Sequence, residues 1–134
     1  MRGINAYRNV DSHTSVLAAK QLDLVVLAYD ALIARLLEAQ EALRSGDIAL
    51  RGEKVSRALD IIDRGLVGAL DLNQGGDIAQ ALKGHYDRWG LLLLRFNLTV
   101  DESIMASVLE DVRTLRSGWD ELRRMQAAAS AVAQ

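Results

Sequence analysis

Only two histidines, His13 and His85, occur among the 134 residues, and there is no cysteine. That count excludes thiolate zinc sites, iron–sulfur clusters and thiol catalysis. A di-metal carboxylate centre needs inward glutamates and Glu-x-x-His pairs on facing helices, yet the residue three before His85 is Leu82. Ser-His-Asp chemistry would need a serine and a carboxylate brought to one of these histidines, and neither histidine sits on a strand-turn-helix elbow. Gly75-Gly76 could cradle a phosphate behind a strand, but a helix–helix turn accounts for the pair more simply. His85 reads as a partly exposed or satisfied helix residue, or as a pH-sensitive contact. The expectation is a protein that is no enzyme and carries neither metal nor cofactor.

The elements that would position any site are helical. The chain has no proline, 4% aromatic residues and 50% hydrophobic residues, and no stretch alternates with period two. Leu22, Val25, Tyr29, Leu32, Leu36, Ala39 and Leu43 recur at steps of three and four, and Ser45-Gly46-Asp47 supplies a stop followed by a new N-cap. A second helix begins near Ile48, with a seam of Ile48, Val55, Leu59, Ile62, Leu66 and Ala69, and ends near Leu72 before Asn73-Gln74-Gly75-Gly76-Asp77. The third carries Ala79, Leu82, Tyr86, Trp89, Leu93 and Phe96. The fourth opens on an expected capping box, Thr99 with Glu102, and continues through Met105, Val108, Val112, Leu115, Trp119 and Leu122. Short loops make neighbouring helices antiparallel, so the expected fold is all-α, an up-down four-helix bundle over residues 15–126. Residues 1–14 read as a flexible N-terminal arm, because Asn5, Asn9, Asp11, Ser12, His13 and Thr14 favour turns and caps. An Ala-rich tail covers 127–134.

Sixteen Lys and Arg against eighteen Asp and Glu leave a net charge of −2, which argues against a nucleic-acid partner. The N-terminus lacks an apolar h-region, and Leu24 to Tyr29 and Leu91 to Leu94 fall far short of the ~18 to 20 apolar residues that span a bilayer. No membrane insertion and a cytoplasmic location are expected.

The informative anomaly is apolar surplus. The first helix has a second row, Leu24, Leu27, Ala31 and Ala34; the third adds Leu91, Leu94 and Leu98; the second has Ala58, Ile61, Gly65, Gly68 and Leu72, a row of mostly small residues. A mid-helix glycine costs roughly 1 kcal/mol relative to alanine, so two on one face imply that another backbone comes close. Two readings stand: close packing inside the bundle, or a groove that accepts a helix from a partner.

Several elements together resemble the FliS family of flagellar export chaperones. They are Ala28-Tyr29-Asp30-Ala31-Leu32, Gly46-Asp47-Ile48, Lys54 to Ile62, Leu70-Asp71, Gly75-Gly76-Asp77-Ile78-Ala79, Tyr86-Asp87, Asn97 and Leu115-Arg116-Ser117-Gly118-Trp119, with Asn5-Ala6-Tyr7 resembling the tyrosine-bearing arm. The chain departs from the family pattern at Ala19-Lys20, Ala31 and Phe96. The resemblance implies a cytoplasmic four-helix chaperone that binds the C-terminal region of flagellin one to one and delivers it to a component of the export gate. Flagellin's terminal segment is disordered as a monomer and helical in the filament, so covering its apolar face prevents premature polymerisation. The residues expected to meet the partner are Tyr7, Leu24, Leu27, Tyr29, Asp30, Ala58, Ile61, Gly65, Gly68, Leu72, Ile78, Leu82 and Tyr86. Uncovered stripes also leave a homodimer open, and the same grooves could serve a helical regulatory adaptor for an anti-sigma or signalling partner.

Overall fold

A computed structural model describes the backbone of residues 2–133 and the side chains of 19–132. Four helices follow one another: α1 Arg2–Ser45, α2 Ile48–Asp60 continued by a π-helical segment Ile61–Val67, α3 Gly76–Thr99 and α4 Glu102–Ala133. No described residue lies in a strand. Each helix packs on its chain neighbours and α4 returns to α1, so the order around the bundle is the chain order. Polar ties fix the directions. Asp23, Asp30 and Arg44 of α1 meet Arg123, Arg116 and Glu102 of α4, the partner numbers falling as those of α1 rise, as antiparallel helices require. The all-α, up-down architecture expected from the periodicity is the one observed.

The α1–α2 turn follows its sequence closely. Gly46 takes φ +76°, its N–H donates to the Leu43 carbonyl at 3.2 Å, and the Asp47 N–H donates to the Ala42 carbonyl at 2.9 Å. This pair of bonds satisfies the last carbonyls of α1. Asp47 then caps α2 by accepting from the Leu50 N–H at 3.0 Å. At the α2–α3 turn, the Asp71 carboxylate accepts from the Asn73 and Gln74 N–H groups, and Gly76 has φ +58°.

The backbone at both ends of the described chain is helical, and two internal boundaries differ from expectation. The backbone of 2–14, read as an arm, is helical and continuous with α1, which has 44 residues and runs about 66 Å. Likewise α4 continues through the Ala-rich segment to Ala133. The capping box at Thr99 is corrected. Helix α3 runs on to Thr99, whose hydroxyl donates back to the Arg95 carbonyl at 2.8 Å. Val100 closes α3 in the left-handed region at φ +54°, and Asp101 caps α4 by accepting from the Ser103 N–H at 2.9 Å. Glu102 pairs instead with Arg44.

Helix α2 also ends earlier than Leu72. Beyond Asp60 it widens, each N–H reaching five residues back, as in the Gly68 N–H to Asp63 carbonyl bond of 3.0 Å. Gly68 terminates it. The core is Tyr29, Leu32 and Leu36 of α1, Val55, Ala58, Ile62 and Leu66 of α2 and its extension, Tyr86, Trp89, Leu93 and Phe96 of α3, and Met105, Val108 and Val112 of α4. Ile48 and Ala69, expected in the α2 seam, are exposed.

Candidate partner-binding groove

The centre of the bundle is polar at a few chosen atoms. The Tyr29 and Tyr86 hydroxyls lie 2.8 Å apart in a buried hydrogen bond, and both rings pack on Trp89, with Tyr29 edge-on at 88°. Burial first, and for Tyr29 the bond to Tyr86 as well, pushes both phenols above their ordinary value, while Trp119 bears on the pair in the opposite sense. One turn away, a single oxygen of Asp111 on α4 accepts from the Trp89 indole N–H at 2.6 Å and meets His85 Nδ1 at 2.8 Å. Burial alone would push that carboxyl up; the Trp89 and His85 bonds prevail and hold it below the usual carboxylate range. Asp30 is gripped by both arms of the Arg116 guanidinium, at 2.7 and 3.4 Å. Arg51 of α2 donates to the Asn97 side chain and carbonyl on α3.

Outside this brace, α3 and the end of α2 leave an apolar groove of about 450 Å³, lined by Leu59, Ile62, Asp63, Val67, Tyr86, Asp87, Gly90, Leu91 and Leu94. Leu91 is 70% exposed and Leu98, further along the same stripe, 84%. Gly90 forms part of the wall because a Cβ there would already touch Leu59 Cδ2, at 3.9 Å. A larger hollow of 620 Å³ between α1 and α4 has a mixed lining, Leu37, Ala106 and Leu109 together with Gln40, Glu110, Arg113 and Thr114.

The expected partner-facing residues divide. Leu24, Leu27 and Ile78 are exposed, Leu72 is exposed in the α2–α3 turn, and Ile61 is half-buried. Tyr29, Tyr86, Ala58 and Leu82 are buried, and only Tyr86 of these four also lines the groove. Asp30 is engaged by Arg116. Tyr7 lies outside the described side chains. The small-residue row of α2 is not one open face, since Ala58 points into the core and the wider π turn carries the later residues round. Gly65 is exposed with room for a Cβ, 3.9 Å from that of Ala28 on α1. At Gly68 the close backbone is its own, because a Cβ there would fall 2.6 Å from the Arg64 carbonyl oxygen.

Sequence reasoning left Leu59, Ile62, Val67, Gly90, Leu91 and Leu94 out of the expected site. The Leu91, Leu94, Leu98 spacing carried a signal for one wall, while the row Leu59, Asp63, Val67 is disguised by the π turn.

The model of the flagellar protein FliS family matches residues 3–126. The chain belongs to the FliS family. This family member is 32% identical over 120 residues to the flagellar secretion chaperone FliS of Salmonella typhimurium, covering 90% of the chain and 89% of that protein. It is 32% identical over 123 residues to the flagellar secretion chaperone FliS of Vibrio cholerae, covering 91% and 90%. Against the flagellar secretion chaperone FliSB of Pseudomonas aeruginosa it is 29% identical over 120 residues, 90% of the chain and 94% of the relative. FliS is a chaperone family and not a family of enzymes. Among the described residues, no helix is long and apolar enough to cross a membrane, and no group of three or more His, Asp or Glu lies where it could hold a metal ion.

The motifs behind the resemblance become intelligible within this FliS-family bundle. Tyr29 bonds Tyr86, Asp30 holds Arg116 and Asn97 holds Arg51, so motif residues far apart in sequence tie α1 to α3 and α4, and α2 to α3.

Proposed function

We propose that this chain is a cytoplasmic flagellar secretion chaperone that binds the C-terminal segment of flagellin, prevents its premature polymerisation and delivers it to the export apparatus. The observation that carries the reading is the bare apolar groove between α2 and α3, with Leu91, Leu94 and Leu98 at i, i+3 and i+7 beside it. A groove bordered by such a stripe suits an amphipathic helix laid along it. Family membership and the names of the relatives support flagellar export as the setting.

A disordered segment that folds on the groove buries apolar area and pays an ordering cost, which gives a negative heat-capacity change with favourable enthalpy. The test is a calorimetric and circular-dichroism titration of the purified protein with the C-terminal region of flagellin from the same organism. One-to-one binding with a gain of helix is expected, and Leu94→Asp is expected to remove it while leaving the thermal melt in place. Absence of binding by the unchanged protein overturns the proposal.

A further inference from the structure

The groove is apolar along its length but not electrically neutral. Two carboxylates, Asp63 and Asp87, line it among the leucines. Asp87 is neutralised by Lys83 on its own helix, with Nζ at 2.7 Å, and nearby Asp60 by Arg64 at 3.0 Å. Asp63 makes no ion pair with any described residue. The last carbonyls of the π segment, which ends at Val67, add partial negative charge at the same end, as at any helix C-terminus.

The π winding is what puts Asp63 there. In an α-helix, residues four apart step round by about 40° each time, so Leu59 and Val67 would be about 80° out of line. The wider π turn holds Leu59, Asp63 and Val67 in one row facing α3. Asp63 therefore stands between Leu59 and Val67 at the exposed edge of the apolar wall, where it also borders a hollow lined by Arg35, Arg57 and Asp60.

We infer that the groove selects an amphipathic helix carrying a lysine or arginine within its apolar face, set against Asp63 and the π-segment terminus, and that Asp63 is a specificity-determining residue of the partner site. The inference rests on the proposed chaperone reading, deepening it by naming the charge the partner must carry. A neutral apolar helix would leave Asp63 partly desolvated without a partner, whereas a basic one meets it with a charge-assisted bond. An acidic residue at that position is rejected by both the carboxylate and the helix end.

The experiment uses the full chain and the C-terminal region of flagellin from the same organism, with affinity measured over a range of salt concentrations. Asp63→Asn is expected to weaken binding about two- to threefold and Asp63→Lys about five- to tenfold, with a shallower salt dependence in both. Each Lys and Arg of the flagellin region is then changed singly to Glu. One such change is expected to weaken binding to the unchanged protein and to recover it with Asp63→Lys. Should Asp63→Lys fail to fold, the salt dependence and the single changes on the unchanged protein still decide. Flagellin binding that is indifferent to salt, to Asp63 and to every Lys or Arg change overturns the inference while leaving the chaperone reading intact. Loss with Asp63→Lys that no client change recovers, or no client change that weakens binding to the unchanged protein, also overturns it. No binding by the unchanged protein overturns the chaperone reading and this inference with it.

Discussion

The Tyr29–Tyr86 pair makes a quantitative test of how the bundle centre is held. Both rings are buried, and their hydroxyls serve one another at 2.8 Å. Tyr29→Phe removes one hydroxyl and strands the other away from water. An orphaned buried hydroxyl costs about 1–3 kcal/mol, so about 1–2 kcal/mol is expected for either single change. The double change Tyr29→Phe with Tyr86→Phe removes both hydroxyls and strands nothing, so its cost should be below about 1 kcal/mol. Independent effects would sum to about 2–4 kcal/mol, so the coupling is about 2 kcal/mol and favours the double variant. Urea unfolding reads this directly: at about 1.5 kcal/mol per molar, each single variant should lose about 1 M in midpoint, and the double should regain most of it. Alkaline titration gives a second reading. Because both folded-state values are raised, the unfolded chain releases these protons first, so stability is whole below about pH 10 and falls above it. The double variant should flatten that alkaline limb. Additive losses, with the double the least stable of the three, would refute the reasoning.

Three further outcomes are expected. Val100→Gly should raise stability by about 0.5–1 kcal/mol, or a few degrees in melting temperature, since a β-branched residue at φ +54° carries strain that glycine lacks. Gly68→Ala should cost about 1–3 kcal/mol in chemical unfolding because its Cβ meets the Arg64 carbonyl oxygen at 2.6 Å, whereas Gly65→Ala, with its nearest neighbours at 3.8 and 3.9 Å, should be neutral or stabilising by up to about 1 kcal/mol. Asp111→Asn should keep an acceptor for Trp89 and remove the acid sensitivity: the lowered carboxyl contributes stability that is present above about pH 4 and lost as pH falls through its folded value, so melts of the variant should change less below pH 4 than those of the parent.

The helical seams were legible because burial imposes a period that side chains must obey. Tyr29, Leu32, Leu36, Trp89, Leu93 and Val112 fell where steps of three and four put them. Turns with one dominant residue were legible too, as Gly46 and Asp47 show. What escaped were local competitions between equally plausible solutions. Thr99 and Asp101 can both begin α4, and Asp101 wins because Thr99 still belongs to the last turn of α3, where its hydroxyl serves the Arg95 carbonyl. The π segment escaped for a different reason: a shift from four-residue to five-residue hydrogen bonding leaves the composition unchanged. Its core residues Ala58, Ile62 and Leu66 are spaced evenly by four, a spread of about 80° that the apolar stripe of an ordinary α-helix also accommodates, so the spacing gives no signal. For the groove, the surplus of leucines pointed to α3, but the facing wall on α2 could be read only with that winding known.

The polar centre and the bare groove are two parts of one physical problem. Helix α3 has two apolar faces, one with Tyr86, Trp89, Leu93 and Phe96 and the other with Leu91, Leu94 and Leu98. Hydrophobic burial is non-directional, so it discriminates poorly between two faces of leucine. Hydrogen bonds discriminate well. Turning α3 to hide the leucine stripe would pull the Trp89 N–H from Asp111, the Tyr86 hydroxyl from Tyr29 and Asn97 from Arg51; the buried Tyr29 hydroxyl alone would then go unserved at about 1–3 kcal/mol, and the two half-buried ties would be lost with it. A bundle that must keep an apolar stripe uncovered therefore needs directional bonds to say which stripe goes inside. Tyr29, Tyr86 and Asn97, from motifs shared with the FliS family, supply part of those bonds, and the leucine stripe stays exposed.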